Sequence, residues 1–408
     1  MARPIITRST AVLFLLWLGA VGYADESGLA LKAQAAISVD VDTSEIIFAK
    51  NIDRRMYPAS TTKLLTAILL AQNKKKQDLL TYSKNAKKTH PFILNLPVDD
   101  RLSAVSAMDA LLLYSANDIA VVIAENVSGS TTAFVQEMNN VAKRSNLASS
   151  NFGNPNGLHR EQHYTTAYDL SILGRSLYRY PWIMQTMAKK SSTVTSESGV
   201  RIHVSNRNKL AGLEGCVGGK TGFTSEAGKC LVALYEREGR RIAGVVLNAG
   251  ATLLDDTVFQ DMQTLIQYSY SAKKQAILSP NDLIAKVTVP VDLLPLLGPR
   301  RELIIPLVIK EEVRVYKTEE PYRLHYETDA IDPWRLSLAA SAGVLILNQK
   351  ETETRFDLYP LLAWQDILRK NYVFYVAALA GLLLIFTAAV IVVRLATRRR
   401  HGSASKNA

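Results

Sequence analysis

Cysteine is scarce in this chain, and the motifs of several common enzyme classes are missing. Two cysteines among 408 residues are too few for a disulfide scaffold. Cys216 and Cys230 bracket a predicted hairpin, so a bridge between them and two buried free thiols both remain open. The six histidines contain no H-E-x-x-H motif and neither cysteine has metal-ligand spacing, which argues against a zincin. The chain also lacks G-x-S-x-G and a glycine-rich phosphate loop, which argues against an α/β-hydrolase and a nucleotide-binding protein. We therefore expect no metal and no cofactor.

Positive charge is in excess, but it is concentrated at the two ends of the chain. There are 48 Lys+Arg and 37 Asp+Glu, a net charge of +11. Seven of these eleven charges lie in terminal segments that contain no acid, which leaves +4 for residues 25–393. The seven residues are Arg3, Arg8, Arg394, Arg398, Arg399, Arg400 and Lys406. A basic nucleic-acid-binding face is not indicated, and we expect no nucleic-acid partner.

Two apolar runs predict how the chain relates to a membrane. The first is too short to span and leads into Gly22-Tyr23-Ala24, so residues 1–24 are predicted to be a cleaved secretory signal peptide. The second, residues 373–393, is uncharged and covers roughly 31 Å as a helix, one hydrocarbon thickness. It predicts a transmembrane helix over residues 371–394, the alternative being a buried core helix. The arginines after it place a basic tail, residues 395–408, in the cytoplasm and the rest of the chain outside.

The segment from residue 25 to residue 272 mixes short strands with apolar helices. Residues 36–50 are typical of a hairpin, and residues 64–70 are apolar on nearly all sides, which predicts a helix buried within a domain. Residues 231–247, with Glu238-Gly239 as the turn, predict an antiparallel sheet. We assign residues 25–272 to one domain with helices and strands.

Two capping boxes predict where helices of this domain begin. Ser106 with Asp109 predicts the start of a helix that runs through Leu113. Thr166 with Asp169 repeats the pattern before a helix over residues 170–178.

Residues 273–370 have a different composition. Prolines punctuate runs of strand-forming residues, and no helix longer than two turns is predicted before Leu361. The segment contains no cluster of charged or nucleophilic residues. It is predicted to be a small all-β domain that serves as a spacer or as a platform on the membrane.

Three short motifs that carry chemistry follow one another in the first domain. They are S-x-x-K at Ser60 to Lys63, S-x-N at Ser115-Ala116-Asn117, and K-T-G at Lys220-Thr221-Gly222. Each alone arises by chance and is then an ordinary solvated surface. Their order, and their predicted places on a helix, a helix end and a strand, make the set specific.

The spacing within these motifs has a physical reason. Ser60 and Lys63 lie one helical turn apart, so a nucleophile has a base beside it. A lysine acts as a base only if its pKa is depressed, by burial and by a second cation such as Lys220. The amino end of the helix lets the N–H of Ser60 stabilise an oxyanion, and the N–H of Phe223 is the predicted second donor. Gly222 leaves room for a substrate backbone to pair with the strand edge.

The motifs and their contexts resemble a known family. The segments YPASTTKLLTA, LLLYSANDIA and GGKTGFTSEAGKCLVA resemble those of the serine-type D-alanyl-D-alanine carboxypeptidases, a peptidase S11-like group of low-molecular-mass penicillin-binding proteins. The resemblance runs from about Ala36 to Tyr270 and includes NPNGL (residues 154–158), HYTTAYDL (163–170) and residues 206–210.

The resemblance implies a fold class and a cellular location. The fold is α+β: a penicillin-binding, β-lactamase-like transpeptidase domain whose antiparallel sheet has helices on both sides, then a small all-β domain and a C-terminal transmembrane helix. The protein would act in cell-wall biogenesis as a single-pass protein of the bacterial cell membrane, with its catalytic domain outside.

The resemblance also implies catalytic and binding residues. Ser60 would attack the carbonyl between the two D-alanines of a peptidoglycan pentapeptide stem, Lys63 would take its proton, and Ser115 would protonate the departing amine. The substrate-binding residues would be Asn117, Lys220, Thr221, Gly222 and Phe223, with Lys220 and Thr221 on the terminal carboxylate. β-Lactams such as penicillins would acylate the same serine and inhibit.

Two positions depart from the family pattern. Ala116 stands where the family often has glycine, which we expect to be tolerated. Residues 251–256 lack the basic residue that relatives often place there, so a carboxylate contact from that loop is not expected.

Two other functions compete with this interpretation. A β-lactamase shares these residues but needs a water held by a carboxylate, and no acid-bearing loop of that kind is evident between Asn117 and Lys220. An inactive scaffold would be expected to have lost one of the motif residues. His163 is predicted to fix the loop before Thr166 rather than to act in catalysis, because the serine already has a lysine base.

Overall fold

The computed structural model describes residues 29–294 and 298–404, with side chains through residue 396. The predicted signal peptide, residues 1–24, lies outside the described residues, as do residues 405–408 of the predicted tail.

The first part of the chain alternates strands and helices up to Ser271. In chain order the elements are β1 (Ala35–Asp40), β2 (Ile46–Lys50), α1 (Lys63–Asn73), β3 (Leu79–Thr81), α2 (Lys84–Lys87), β4 (Arg101–Ser103), α3 (Ala104–Asp109), α4 (Asn117–Ser128), α5 (Thr131–Arg144), α6 (Ala167–Ser176), α7 (Pro181–Met187), β5 (Ser191–Thr195), β6 (Arg201–Ser205), β7 (Cys216–Thr224), β8 (Gly228–Arg237), β9 (Arg240–Leu247) and α8 (Thr257–Ser271).

A five-stranded antiparallel sheet with the order β2-β1-β9-β8-β7 organises this part of the chain. Side chains alternate between its two faces, as the strand period requires. Ile37 and Val245 belong to the core that includes α1, α4 and α6, whereas Ala36 and Val246 pack with α8 on the opposite face. The sheet therefore has helices on both sides, which confirms the predicted fold class.

Most of the locally predicted elements are confirmed. The hairpin of β1 and β2, the β8–β9 hairpin with its turn at Glu238-Gly239, and the burial of residues 63–70 of α1 all occur. Thr166 caps α6 by accepting the N–H of Asp169 at 3.0 Å.

One predicted helix cap is wrong. The helix predicted to open at Ser106 begins at Ala104, because Ser103 is the residue whose hydroxyl accepts the N–H of Ser106.

The two cysteines do not form a disulfide bridge. Cys216 and Cys230 are both free and buried. Burial raises the pKa of the Cys230 thiol to about 12.

The chain after Ser271 is built of strands. They are β10 (Gln275–Leu278), β11 (Leu283–Asp292), β12 (Arg300–Ile309), β13 (Val313–Val315), β14 (Arg323–Glu327), β15 (Gly343–Gln349) and β16 (Thr352–Pro360). Five of them form a sheet with the order β11-β12-β16-β15-β14, which encloses a core of its own. Among the described residues between Ser271 and Pro360, the helical structure is a single short turn, Pro333–Arg335. The predicted β-rich region is confirmed.

Two helices end the described chain, α9 (Trp364–Lys370) and α10 (Tyr372–Ala404). Residues Tyr372–Ala396 of α10 are long and apolar enough to cross a membrane, and the most apolar stretch is not buried against the rest of the protein. This exposure removes the alternative of a buried core helix.

Candidate active site

The turn that carries Ser60 brings its hydroxyl next to the amine of Lys63. Residues Ala59–Thr62 form one turn of 3₁₀-helix that leads into α1 at Lys63. In a 3₁₀ turn, residues three apart lie one above the other. The Nζ atom of Lys63 accordingly lies 3.0 Å from Oγ of Ser60. Ala59 reaches this geometry with a left-handed φ of 47°, a conformation that is costly for a residue with a β-carbon.

Lys63 is fully buried, and the oxygens that accept hydrogen bonds from its amine belong to neutral groups rather than to carboxylates. Its Nζ donates to Oδ1 of Asn117 and to the carbonyl oxygen of Asn156, each at 2.6 Å. Burial lowers the pKa of Lys63 well below its ordinary value, and the positive charges of Lys220 and Arg207 lower it further. A lowered pKa favours the neutral amine, which is the form of lysine that can accept a proton.

The S-x-N motif lies at a break between two helices. After α3 the chain makes a π-helical turn over Ala110–Tyr114, a feature often found at functional sites. Ser115 then takes a left-handed conformation, with φ 70° and ψ 35°, and Asn117 begins α4. The Oγ atom of Ser115 is buried without a hydrogen-bond partner among the described residues. Buried polar atoms are normally paired, so this hydroxyl is free to bond to a bound molecule.

Asn117 is held in place from the segment before the motif. Its N–H donates to the carbonyl oxygen of Phe92 at 2.7 Å, and its Nδ2 donates to that of Pro91 at 2.6 Å. The neighbouring Asp118 accepts the hydroxyl of Tyr82 at 2.8 Å and the N–H of Leu94 at 2.8 Å. These bonds fix the amide oxygen that Lys63 contacts.

The K-T-G motif lies on β7, which is an edge strand of the central sheet. Lys220 is fully buried, and its Nζ donates to the carbonyl oxygen of Thr221 at 2.9 Å. Burial, followed by the positive charge of Arg207, lowers the pKa of Lys220 to about 7. The structure shows a second reason for glycine at residue 222, beside the predicted room for a substrate backbone. A β-carbon at this position would lie 2.9 Å from the nitrogen of Ser60, so the missing side chain also makes room for the turn that carries Ser60.

A cleft of about 610 Å³ joins the three motifs. Six of the eight predicted site residues line it: Ser60, Ser115, Asn117, Thr221, Gly222 and Phe223. Lys63 and Lys220 are buried beside it. The structure therefore brings all eight predicted residues to one place.

Two parts of this site were missed by the motif analysis. The carbonyl of Asn156 is a backbone group, and nothing in its side chain predicts the contact with Lys63. Arg207 lines the cleft with its guanidinium over the rings of Phe92 and Tyr114, at 4.2 and 5.0 Å from the ring centroids. Both residues lie in segments that carry the family resemblance, and that resemblance is the signal in the sequence that points to them.

Comparisons with known proteins identify the family of this chain. Residues 23–251 match the family described as D-alanyl-D-alanine carboxypeptidase. The chain is 30% identical over 252 residues to D-alanyl-D-alanine carboxypeptidase DacF of Bacillus subtilis, covering 58% of this chain and 65% of that protein. It is 31% identical over 219 residues to DacA of Haemophilus influenzae, covering 50% of this chain and 53% of that protein. The matched part is thus about half to two thirds of the length of these relatives.

Solved structures share the fold over more of the chain. The D-alanyl-D-alanine carboxypeptidase DacD from Francisella tularensis superposes with a TM-score of 0.60 at 22% identity, covering 85% of this chain and 98% of that one. Penicillin binding protein 5 from Haemophilus influenzae gives a TM-score of 0.58 at 22% identity, covering 82% and 98%. Because the family match covers more than half of the chain, the protein belongs to peptidase family S11, the D-alanyl-D-alanine carboxypeptidase family.

Proposed function

We propose that this chain is a serine-type D-Ala-D-Ala carboxypeptidase that removes the terminal D-alanine from peptidoglycan pentapeptide stems through an acyl-enzyme on Ser60. The observation that carries the proposal is the contact between Nζ of Lys63 and Oγ of Ser60 at 3.0 Å, made by a lysine whose burial lowers its pKa. A neutral amine in hydrogen-bond reach of a hydroxyl activates it as a nucleophile.

Acylation uses groups that surround this pair. Oγ of Ser60 bonds to the carbonyl carbon between the two D-alanines, and Lys63 takes its proton. The backbone N–H groups of Ser60 and Phe223 stabilise the oxyanion. The carbon–nitrogen bond then breaks, and Ser115, whose hydroxyl has no partner among the described residues, passes its proton to the leaving amine and takes up the proton held by Lys63, which leaves Lys63 neutral for deacylation.

Substrate recognition would come from the opposite walls of the cleft. The terminal carboxylate binds Lys220 and Thr221, and it favours the protonated form of Lys220 because opposite charges attract. Asn117 holds the acyl part of the stem, and Gly222 and Phe223 line the β7 side of the cleft.

Deacylation by water releases the tetrapeptide and restores Ser60. The carboxylates that line the cleft are Glu226 and Asp256, and Asp256 is paired with Lys209 at 2.7 Å. The loop that reaches the base presents the carbonyl of Asn156 rather than an acid. Among the described residues, the hydrogen-bond partners of Lys63 include no carboxylate, so we expect the penicillin ester on Ser60 to be hydrolysed slowly and penicillins to inhibit.

The proposed organisation follows the sequence. It comprises a signal peptide (1–24), a catalytic domain (25–272), a β-rich domain (273–370), a transmembrane helix (371–394) and a cytoplasmic tail (395–408). The protein would be anchored in a bacterial cell membrane with its catalytic domain outside, where the wall is.

The activity is tested by incubating the purified protein with a pentapeptide stem and measuring released D-alanine. We expect release by the natural chain and loss of release in Ser60→Ala, with an unchanged circular dichroism spectrum. Ser225→Ala is the matched control, because Ser225 is exposed in the same cleft. Equal release by Ser60→Ala, or none by the natural chain, contradicts the proposal.

The topology is tested with Ser403→Cys and a membrane-impermeant thiol reagent. Cys216 and Cys230 are buried, so they contribute little labelling. We expect the new cysteine to react only after the membrane is permeabilised. Labelling of intact cells would reverse the proposed orientation.

A further inference from the structure

An exposed apolar surface lies where the β-rich part of the chain meets α10. It consists of Trp334, Leu361, Trp364 and Leu368, here called the collar surface. Leu361 is 50% exposed, Trp364 is 40% exposed and Leu368 is 36% exposed, and Trp334 is half-buried. Trp364 and Leu368 lie one turn apart on α9, so they share a face of that helix.

The collar surface is attached to the first turns of α10. Trp334, together with Phe374 and Tyr375 of α10, packs against a small buried cluster that includes Ile367 of α9. The N–H of Trp364 donates to the carbonyl oxygen of Leu336, two residues after Trp334, at 3.1 Å. α9 ends two residues before α10 begins. The collar therefore cannot move far from the end of the membrane-spanning helix.

Charged side chains lie on the elements that carry the collar. The basic ones are Arg300, Arg301, Arg335, Arg369 and Lys370, and the acidic ones are Asp292, Glu302, Asp332 and Asp366. Arg301 donates to Oδ1 of Asn371, the residue between α9 and α10, at 3.0 Å. Arg369 and Lys370 end α9 next to the start of α10, where basic side chains suit anionic lipid headgroups.

We propose that the collar surface lies in the outer interface of the lipid bilayer, with the rings of Trp334 and Trp364 at the level of the headgroups. This inference rests on the proposed anchoring by α10, because that helix brings the bilayer to the collar. Tryptophan is enriched at membrane interfaces, where an apolar ring meets water, and basic residues pair with headgroup phosphates. The lipid bilayer is the occupant favoured over a second copy of the chain, since the apolar span of α10 begins at Tyr372, two residues after α9 ends.

This contact would set the orientation of the active site. The β-rich part is joined to the catalytic part by ion pairs of Lys274 with Glu45, at 2.6 Å, and of Lys350 with Asp53. A collar held flat on the bilayer therefore fixes the tilt of the cleft relative to the membrane.

Tryptophan fluorescence tests the proposal, because the chain has four tryptophans: Trp17, Trp182, Trp334 and Trp364. The full chain would be inserted in lipid nanodiscs in three forms, each keeping one of the last three with the others changed to phenylalanine. Phosphatidylcholine brominated at the sixth and seventh acyl carbons quenches indoles near the interface. We expect Trp334 and Trp364 to lose about half of their emission, as interfacial rings do. Trp182, which packs on the catalytic core, is the matched control and should lose almost none.

The possible outcomes distinguish a failure of the collar proposal from a failure of the proposed anchoring by α10. A chain that stays in the discs but shows no more quenching at Trp334 and Trp364 than at Trp182 overturns the collar proposal alone. The same result together with a crosslinked dimer assigns the surface to a second copy, and also overturns it. A chain that does not remain with the discs refutes the anchoring by α10, and the collar proposal falls with it. Retained D-alanine release by each form verifies that it has folded.

Discussion

Gly157 lies directly against the carbonyl of Ala59, so that a β-carbon at residue 157 would be 1.8 Å from that oxygen. Gly157 also has a left-handed φ of 85°. The carbonyl oxygen of Asn156, the preceding residue, accepts a hydrogen bond from Nζ of Lys63. The contact between Gly157 and Ala59 therefore connects the turn of Ser60 and Lys63 to a loop about a hundred residues further along the chain.

Gly157→Ala should therefore impair both stability and turnover. The clash and the strained φ together should cost about 3 kcal/mol of unfolding free energy. Displacement of the Asn156 carbonyl from Lys63 should lower kcat/KM by about 10². Gly199→Ala is the control: Gly199 has a φ of 89° but open space around it, so it should lose only about 1 kcal/mol and no activity. Equal activity in the two variants would show that the Gly157 contact does not matter for catalysis.

Ser115→Ala should separate activity from stability. The hydroxyl of Ser115 is buried without a partner among the described residues, so its removal deletes a desolvated polar group. We expect stability to be unchanged or to rise by up to about 1 kcal/mol. D-alanine release should fall by about 10²–10⁴, because the proton path to the leaving amine is lost. Thermal unfolding and steady-state kinetics on the same sample measure both; a marked drop in melting temperature would mean that the hydroxyl is structural.

His163 should prove structural rather than basic. Its Nε2 is hydrogen-bonded to Oγ1 of Thr62 at 2.9 Å, and burial, with the nearby positive charges, lowers its pKa to about 3. His163→Ala should cost about 2–4 kcal/mol of stability and change kcat/KM less than tenfold. Lys63→Met, which keeps the side-chain volume, should lower kcat by about 10⁴ or more. A changed pH profile in the histidine variant would instead point to a role in proton transfer.

The dependence of kcat/KM on pH should have an alkaline limb set by Lys220. The protonated lysine binds the substrate carboxylate, and its pKa in the free enzyme is about 7. Above that pH the charged fraction, and with it kcat/KM, should fall about tenfold per pH unit. Lys220→Arg keeps the charge, so its alkaline limb should move upward by more than one pH unit. A limb that stays in place in this variant would assign it to another group.

The lowered pKa of Lys220 also makes the free energy of unfolding depend on pH. Between about pH 7 and the ordinary pKa of 10.5, the unfolded chain binds a proton at Lys220 that the folded protein does not. Stability relative to Lys220→Met should therefore rise with pH in this window, by about 1.4 kcal/mol per pH unit at most. Denaturant titrations at several pH values give the slope; a stability difference that falls with pH would contradict the assigned shift.

The lifetime of the penicillin adduct should separate a carboxypeptidase from a β-lactamase. Without a carboxylate-held water, the ester on Ser60 should persist on the order of 10² seconds or more, a barrier above roughly 20 kcal/mol. Intact-mass spectrometry after a short penicillin pulse measures it, and Ser60→Ala should form no adduct. An adduct that vanishes within about a second while hydrolysed drug accumulates would favour the β-lactamase.

Local features of this protein were determined by the sequence alone. Ser60 and Lys63 are three residues apart, so a single helical turn brings their side chains together. The two-residue period of a strand places Ala36 and Ile37 on opposite faces of the sheet. The length and apolar character of residues 373–393 are properties of the chain itself. Such features depend on neighbours in sequence, which is why pattern alone predicts them.

Only the tertiary structure decided the surroundings that lower the pKa of Lys63 and the contact that Gly222 makes. Lys63 donates hydrogen bonds to Asn117 and Asn156, which are 54 and 93 residues away, and the charge of Lys220 lowers its pKa from still further along the chain, so that pKa depends on packing that no local pattern encodes. The pattern predicted that Gly222 leaves room for a substrate, and the structure adds that it accommodates the Ser60 turn, because the fold brings β7 against that turn. Segments that are far apart in the sequence become neighbours because they pack into the same hydrophobic core, and that core forms only when the chain folds.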